Sequence, residues 1–168
     1  LLEDPDCHID AFLAAGHVCT IMGMEEYLPI AKEYQVPIVI TGFEPVDLLQ
    51  GILMAVEQTR LKDYTVTNQY DRVVAEKGNT KAIETITNVY SRVDRDWRGL
   101  GVIPQSGLDL RPEYASFNAR TRFGLGEKPN PDSKGCLSGA IMKGQIKPTD
   151  CPLFGKECSP QLPVGAPL

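Results

Sequence analysis

Three cysteines late in the chain have the residue type and setting for metal chemistry. Cys136, Cys151 and Cys158 lie in SKGCLSGAIMKGQIKPTDCPLFGKECSPQLPVG, with 14 and 6 residues between them. The segment is rich in Gly, Pro and Lys and has little apolar periodicity, so burial alone cannot hold it together. Thiolate–metal bonds can supply that folding energy, and thiolates favour soft or borderline metals. The spacing lacks the close C-x2-C pair of a structural zinc knuckle, and no His follows His17. Widely spaced single cysteines suit an iron–sulfur cluster ligated from several loops. A Cys151–Cys158 disulfide fits the length but not a reducing compartment. Three unligated thiols are the bland alternative.

Two further groups sit where strands hand over to helices. His17 and Cys19 occupy AAGHVCT, read as a loop after a strand. His17 there can carry a proton or bind a ligand, and Cys19 can act as a thiolate. The plainer reading is a hydrogen-bonded His beside a small buried hydrophobe. Glu44 and Asp47 occupy TGFEPVD. Carboxylates at a helix entry usually cap it or complement its dipole, and the functional alternative is that Glu44 faces a ligand. The multi-glycine and Lys-Ser/Thr signature of a phosphate loop is missing. A denser polar set, Asn68, Gln69, Arg72, Arg98, Ser106 and Arg111 with the single Trp97, forms either a polar rim or a partner surface, or only turns and salt bridges. No Ser-His-Asp arrangement is legible.

The elements that must position these residues alternate between strand and helix from about residue 9 to 123. IDAFLA (9–14), the β-branched PIVIT (37–41), YTVTN (64–68) and LGVIP (100–104) read as strands. Helices are expected over 24–35, from Pro45 to about 60, from the GNT turn (78–80) to about 92, and from Pro112 to about 122. Pro29 is tolerable only in a first turn. On the second helix, Val46, Leu49, Ile52, Leu53 and Val56 trace the expected core face. Short strands separated by such helices imply an α/β fold of Rossmann-like βαβ units with a mostly parallel, covered sheet. Ligands of such sheets bind beyond the strand C-termini, so the His17 and Glu44 segments should share one rim. Composition shifts at FGLGEKPNPDSKG (123–135). The division is therefore residues 1–123 as the α/β domain, and 124–168 as linker and small irregular cysteine module.

The bulk numbers narrow the class. At 168 residues the chain holds one core, with or without an appendage. A net charge of −5 argues against nonspecific nucleic-acid binding. No run reaches the ~20 apolar residues that span a bilayer. An odd count of five cysteines, with no signal peptide in LLEDPDCHID, favours a reducing compartment with thiols or metal ligands over a disulfide framework. The first residue is Leu, as expected of a processed chain or a piece of a longer one.

The blocks GHV, ITGFEPVDLLQGILM, TNQYDRVVAEKGN, DWRGLGVIPQSGLDLRPEYASF, KGC and IKPTDCPLFGKECSPQLPVGA together resemble the C-terminal half of the hydrogenase maturation factor family HypD. The resemblance runs along nearly the whole chain, and GFEPVDLLQ, NQYDRVV, IPQSGLDLR and CPLFGKEC are long and unusual. It implies a cytoplasmic factor that works with a small HypC-type chaperone and with HypE, the supplier of cyanide. On that complex, iron carrying cyanide and carbon monoxide is assembled for the large subunit of a nickel–iron hydrogenase. It implies two α/β domains and a module holding a 4Fe–4S cluster, of which this chain would contain most of the second domain and part of the module.

By this resemblance Cys136, Cys151 and Cys158 match three cluster ligands, and the fourth lies beyond Leu168. Ser138 and Pro167 stand where the family usually has further cysteines. The usual PGHVST reads AGHVCT here, so Cys19 is not a family cysteine. His17 and Glu44 match positions lining the family's interdomain cleft. With three ligands a cluster would be labile or absent, and without the first domain the chain alone would not support full maturation. Two other classes stay open: a cluster-free module that docks a maturation partner, and a small-molecule enzyme using His17 and Glu44.

Overall fold

A computed structural model describes residues 1–97, 99–125 and 135–165. Arg98, Pro167 and most of the expected linker (126–134) lie outside the described residues. The described chain forms two compact units. One comprises residues 9–86; the other comprises 3–8 together with 87–168.

The first unit is a three-stranded parallel sheet with helices on both faces. Its strands are β1 (Phe12–Ala15), β2 (Ile38–Thr41) and β3 (Val66–Asn68), ordered β1-β2-β3. Phe12 pairs with Ile38, and Ile38 with Val66, so the strands run in step. All four residues of β2 are buried, as a central parallel strand requires. Side chains alternate across a strand. Ile38 and Ile40 enter a cluster with Cys19, Ala31, Val66 and Val74, roofed by Phe12, Met24, Tyr27, Ile30 and Tyr70. Helices α1 (Gly16–Met22) and α2 (Tyr27–Glu33) supply that roof. The helix expected over 24–35 is thus shorter, and Pro29 falls in its first turn, where no hydrogen bond is lost. AGHV is not a loop: helix begins at Gly16, directly after β1.

Helix α3 (Pro45–Leu61) matches the expected span, but its core face is corrected. The residues turned to the sheet are Asp47, Gly51, Ala55 and Gln58. Val46, Leu49, Ile52, Leu53 and Val56 are exposed. The cause is close approach: a Cβ on Gly51 would sit 2.1 Å from Thr41 Cγ2, so only glycine lets this helix lie down. Gln58 then locks helix to sheet by polar bonds. Its amide donates to the Thr65 carbonyl (3.2 Å) and hydroxyl (2.9 Å), and its oxygen accepts from Thr67 Oγ1 (3.1 Å).

The fourth strand does not extend the parallel sheet. Helix α4 (Thr80–Val89) stops short of 92 and passes into β4 (Tyr90–Trp97), which pairs antiparallel with β5 (Gly101–Leu110). Val89, Tyr90 and Val93 fit a helical period, which hid the alternation of YSRVDRDW. A register shift at Val93/Arg95 accommodates Pro104 inside β5. There Gln105 adopts φ 53° and its N–H donates to Asp94 Oδ1 at 2.9 Å. The expected helix after Pro112 is a 3₁₀ turn (Pro112–Phe117) followed by α5 (Ala119–Arg122). The cysteine region contains α6 (Ser138–Met142), a 3₁₀ turn (Pro148–Asp150) and isolated bridges Phe154↔Cys158 and Ser159↔Leu162. Residues 4–8 join this second unit. The His8 N–H donates to the Lys143 carbonyl, Gln145 Nε2 donates to the Asp6 carbonyl, and Lys143 pairs with Asp4. Among the described residues no helix is long and apolar enough to cross a membrane.

Candidate functional site

Parallel strands deliver their C-terminal ends to one rim, and the successors of β1, β2 and β3 meet there. Gly16 and Gly42 permit the meeting. A Cβ on Gly16 would lie 2.4 Å from the Thr41 carbonyl oxygen, and one on Gly42 would lie 2.8 Å from the Tyr70 ring. His17 follows Gly16, and its ring lies 5.1 Å from that of Phe43, tilted by 44°. Glu44 is the N-cap of α3 but makes no side-chain cap bond. Its carboxylate instead accepts from Arg72 Nη2 at 2.8 Å.

Asp47 organises this rim. Its side chain is 6% exposed and accepts both arms of the Arg72 guanidinium, at 2.9 Å on Oδ1 and 2.6 Å on Oδ2. Gln69 Nε2 adds a third bond at 2.8 Å and also reaches Gln50 Oε1 at 2.9 Å. The Gln69 oxygen accepts from the Gly42 N–H. Arg72 also lies over the Tyr70 ring, 4.4 Å from its centroid. The guanidinium holds the Asp47 carboxyl well below the usual carboxylate range, and Asp47 raises Arg72 in return. A planar fork gripped by a carboxylate is fixed in direction as well as charge. The rim therefore offers a held cation, the Glu44 carboxylate, an imidazole and two aromatic faces.

The structure thus unites Glu44 and Asp47 with Gln69 and Arg72, taken from two different sequence groups. Asn68 serves the backbone instead: it donates to the Val74 carbonyl and accepts from the Tyr70 N–H. Ser106 and Arg111 belong to the other unit. Ser106 accepts from Trp97 Nε1 at 2.7 Å, and Arg111 donates to the Thr87 and Tyr90 carbonyls. Sequence alone does not rank Asp47 above Glu44 at this junction. The available signal was an acidic first helical turn facing an Arg four residues past a neighbouring parallel strand.

Cys19 takes its plainer reading. It is fully buried, burial pushes its thiol up, and Tyr27 beside it is pushed up to about 12, chiefly by burial. Its Sγ lies 3.9 Å from the Tyr27 hydroxyl. Cys19 is expected to be the last of the five thiols to react with a disulfide reagent. Its labelling should track global unfolding while Cys136 and Cys158 label in the native state, as peptide mass spectrometry over a denaturant series would show.

Among the described residues, no three His, Cys, Asp or Glu side chains are gathered as a metal site. Cys136, Cys151 and Cys158 are instead linked through shared backbone. Backbone N–H groups of Leu137, Leu153 and Phe154 hold the buried Cys151 thiol below its ordinary value, Leu137 most strongly. Cys158 Sγ accepts from the Val164 N–H at 3.4 Å. A Cβ on Gly165 would lie 3.2 Å from Cys136 Sγ. The N–H donors suit a thiolate, but the three sulfurs do not form a closed ligand set.

The HypD family model, described as the hydrogenase formation hypA family, matches residues 1–168. The chain is similar to hydrogenase maturation factor HypD of Escherichia coli (strain K12), at 45% identity over 167 residues. That match covers 99% of this chain and 45% of the relative. HypD1 of Bradyrhizobium diazoefficiens is 44% identical over 173 residues, covering 99% and 46% respectively. HypD of Rhodobacter capsulatus is 42% identical over 171 residues, covering 99% and 45%. The chain spans a little under half the length of these relatives. A model match from the first residue to the last places the chain in the HypD family.

Proposed function

We propose that this chain is the C-terminal part of a hydrogenase maturation factor that works in the cytoplasm. It would take part in assembling the Fe(CN)2CO centre of a nickel–iron hydrogenase with a HypC-type chaperone and HypE. The observation that carries the reading is 42–45% identity over 99% of the chain to relatives named as hydrogenase maturation factors. The rim is consistent with it. A held guanidinium and a neighbouring carboxylate present both charges to a docking protein or a polar cargo, and they do so without a nucleophile.

The 4Fe–4S cluster belongs to the proposal as a binding property of Cys136, Cys151 and Cys158 within a small C-terminal module. The N–H groups around Cys151 support it. When bound, such a cluster supplies one-electron chemistry. Anaerobic purification should then yield iron and acid-labile sulfide that the triple Cys→Ser variant lacks. A second reading, cluster-free docking, is favoured by a rim built wholly from residues 16–72. It expects partner binding to survive the triple change.

The functional test is a chimera in which residues 1–168 replace the matched segment of the Escherichia coli relative, expressed in a strain lacking its own HypD. Restored hydrogenase activity is the expected result. A soluble, abundant chimera with no hydrogenase activity would sink the proposal.

A further inference from the structure

The three late cysteines meet through two pairs of neighbouring residues. Cys136 is followed by Leu137, whose backbone N–H is the strongest of the donors holding the Cys151 thiol. Val164 donates its N–H to Cys158 Sγ at 3.4 Å. The next residue, Gly165, lies against Cys136: a Cβ there would stand 3.2 Å from Cys136 Sγ and 3.3 Å from Ser138 Cβ. Residues 136–137 thus join the first sulfur to the second, and residues 164–165 join the first to the third. Among the described residues of this region the longest element is the five-residue α6, so these contacts set where the sulfurs lie.

The Cys136 turn also has a seat. Helix α6 begins two residues after Cys136, and its Gly139 rests on the turn between β4 and β5. A Cβ on Gly139 would stand 2.5 Å from the Gly99 carbonyl oxygen, so any side chain at 139 must push the Cys136 turn and the hairpin apart. At 165 a β-branched side chain adds two further groups to a Cβ already in contact with Cys136 and Ser138. Such contacts are not general to glycines here. Gly155, between Cys151 and Cys158, meets nothing within 4 Å among the described residues.

We infer that Gly139 and Gly165 are positioning residues of the cysteine site. Gly139 seats the Cys136 turn on the hairpin. Gly165 lets the backbone that holds Cys158 close against the Cys136 sulfur. Together they bring the three thiols toward one thiophilic group, although 14 and 6 residues separate them and no C-x2-C knuckle presents them in pairs. For the identity of that group the inference rests on the cluster reading above; the convergence of the thiols does not.

The test measures how often one reagent bridges Cys136 and Cys158. The reduced, metal-free chain is treated with limiting short bis-maleimide. Peptide mass spectrometry then gives the ratio of bridged to separately modified Cys136 and Cys158. Because the second addition is intramolecular, that ratio follows the proximity of the two thiols more than the reactivity of either. Gly139→Ala, Gly165→Ala and Gly165→Val are compared with the unchanged chain. Gly155→Asn is the reference, since Asn tolerates the φ of 70° there. The ratio should fall at least about fivefold in Gly139→Ala and Gly165→Val, less in Gly165→Ala, and not at all in Gly155→Asn. Trp97 lies two residues before Gly99, so its emission should shift in Gly139→Ala and stay unchanged in Gly165→Val. Circular dichroism checks that each variant is folded. An unchanged ratio in Gly139→Ala or Gly165→Val would overturn the inference, as would an equal fall in Gly155→Asn or an unchanged chain in which no bridge forms. Iron and acid-labile sulfide after anaerobic reconstitution judge the cluster reading separately. An iron-free chain whose ratio still falls in the two variants loses that reading and retains this one.

Discussion

Changing Asp47 to Asn is expected to release Arg72 and flatten the acid limb of stability. In the native rim the guanidinium holds the Asp47 carboxyl below its unfolded value, which lies near 4. A group with a depressed native pKa contributes stability that is complete above the unfolded value and drains as pH falls through the native one. The unchanged chain should therefore lose urea resistance progressively below about pH 4. The Asn variant should start lower at neutral pH and lose less across that window. Gln69 and Arg72 should also move, because Asp47 is where their bonds converge. Glu44→Ala supplies the contrast. Glu44 meets only one arm of Arg72 from an exposed position, so its loss should stay within about 0.5 kcal/mol. Urea midpoints for the three proteins across a pH series decide the matter. Parallel acid limbs would mean that Asp47 does not carry the rim.

Ile40→Ala should produce the largest loss of stability. Ile40 is fully buried on the central strand, within the cluster under α1 and α2, and its carbonyl accepts the Gln69 N–H that turns the chain out of β3. Truncating such a side chain costs about 2–5 kcal/mol, against about 0.5–1.5 kcal/mol for Ile→Val. Since whole domains are stable by roughly 5–15 kcal/mol, the Ala variant should leave the parallel unit near unfolding in mild urea. Amide exchange of β2 is the proper probe, because Trp97 belongs to the other unit and its fluorescence reports there. An Ala variant as resistant as Ile40→Val would show that β2 is not the centre of the core.

Local chemistry made part of this legible in sequence. The β-branched PIVIT, Pro45 at a first helical position and the GNT turn before α4 all act over a few residues, and each appears where expected. The face of α3 did not, because periodicity ranks residues by apolarity, whereas this helix is seated by the smallness of Gly51 and the bonds of Gln58. Strand β4 was hidden for a related reason: Tyr90 and Val93, three residues apart, fit the helical period, although on the strand they fall on opposite faces. The Asp47–Arg72 grip joins residues 25 apart and leaves no local mark. Strand logic, like the family resemblance, puts His17 and Glu44 on one rim. The bond from Arg72 to Glu44 depends on how β3 follows β2.

The bonds from Asp6 and His8 to Gln145 and Lys143 bear on the order of events at the ribosome. One of them joins residues 139 apart in sequence. The described strands and helices of the parallel unit, residues 9–86, lie between those two ends, so they can pack while the hairpin and cysteine region are still being synthesised. The second unit must wait until residue 145 has emerged. Long-range closure of this kind is slow. In that interval the cysteine region is a nascent, unpacked segment, and the time its thiols spend exposed is set by translation as well as by folding.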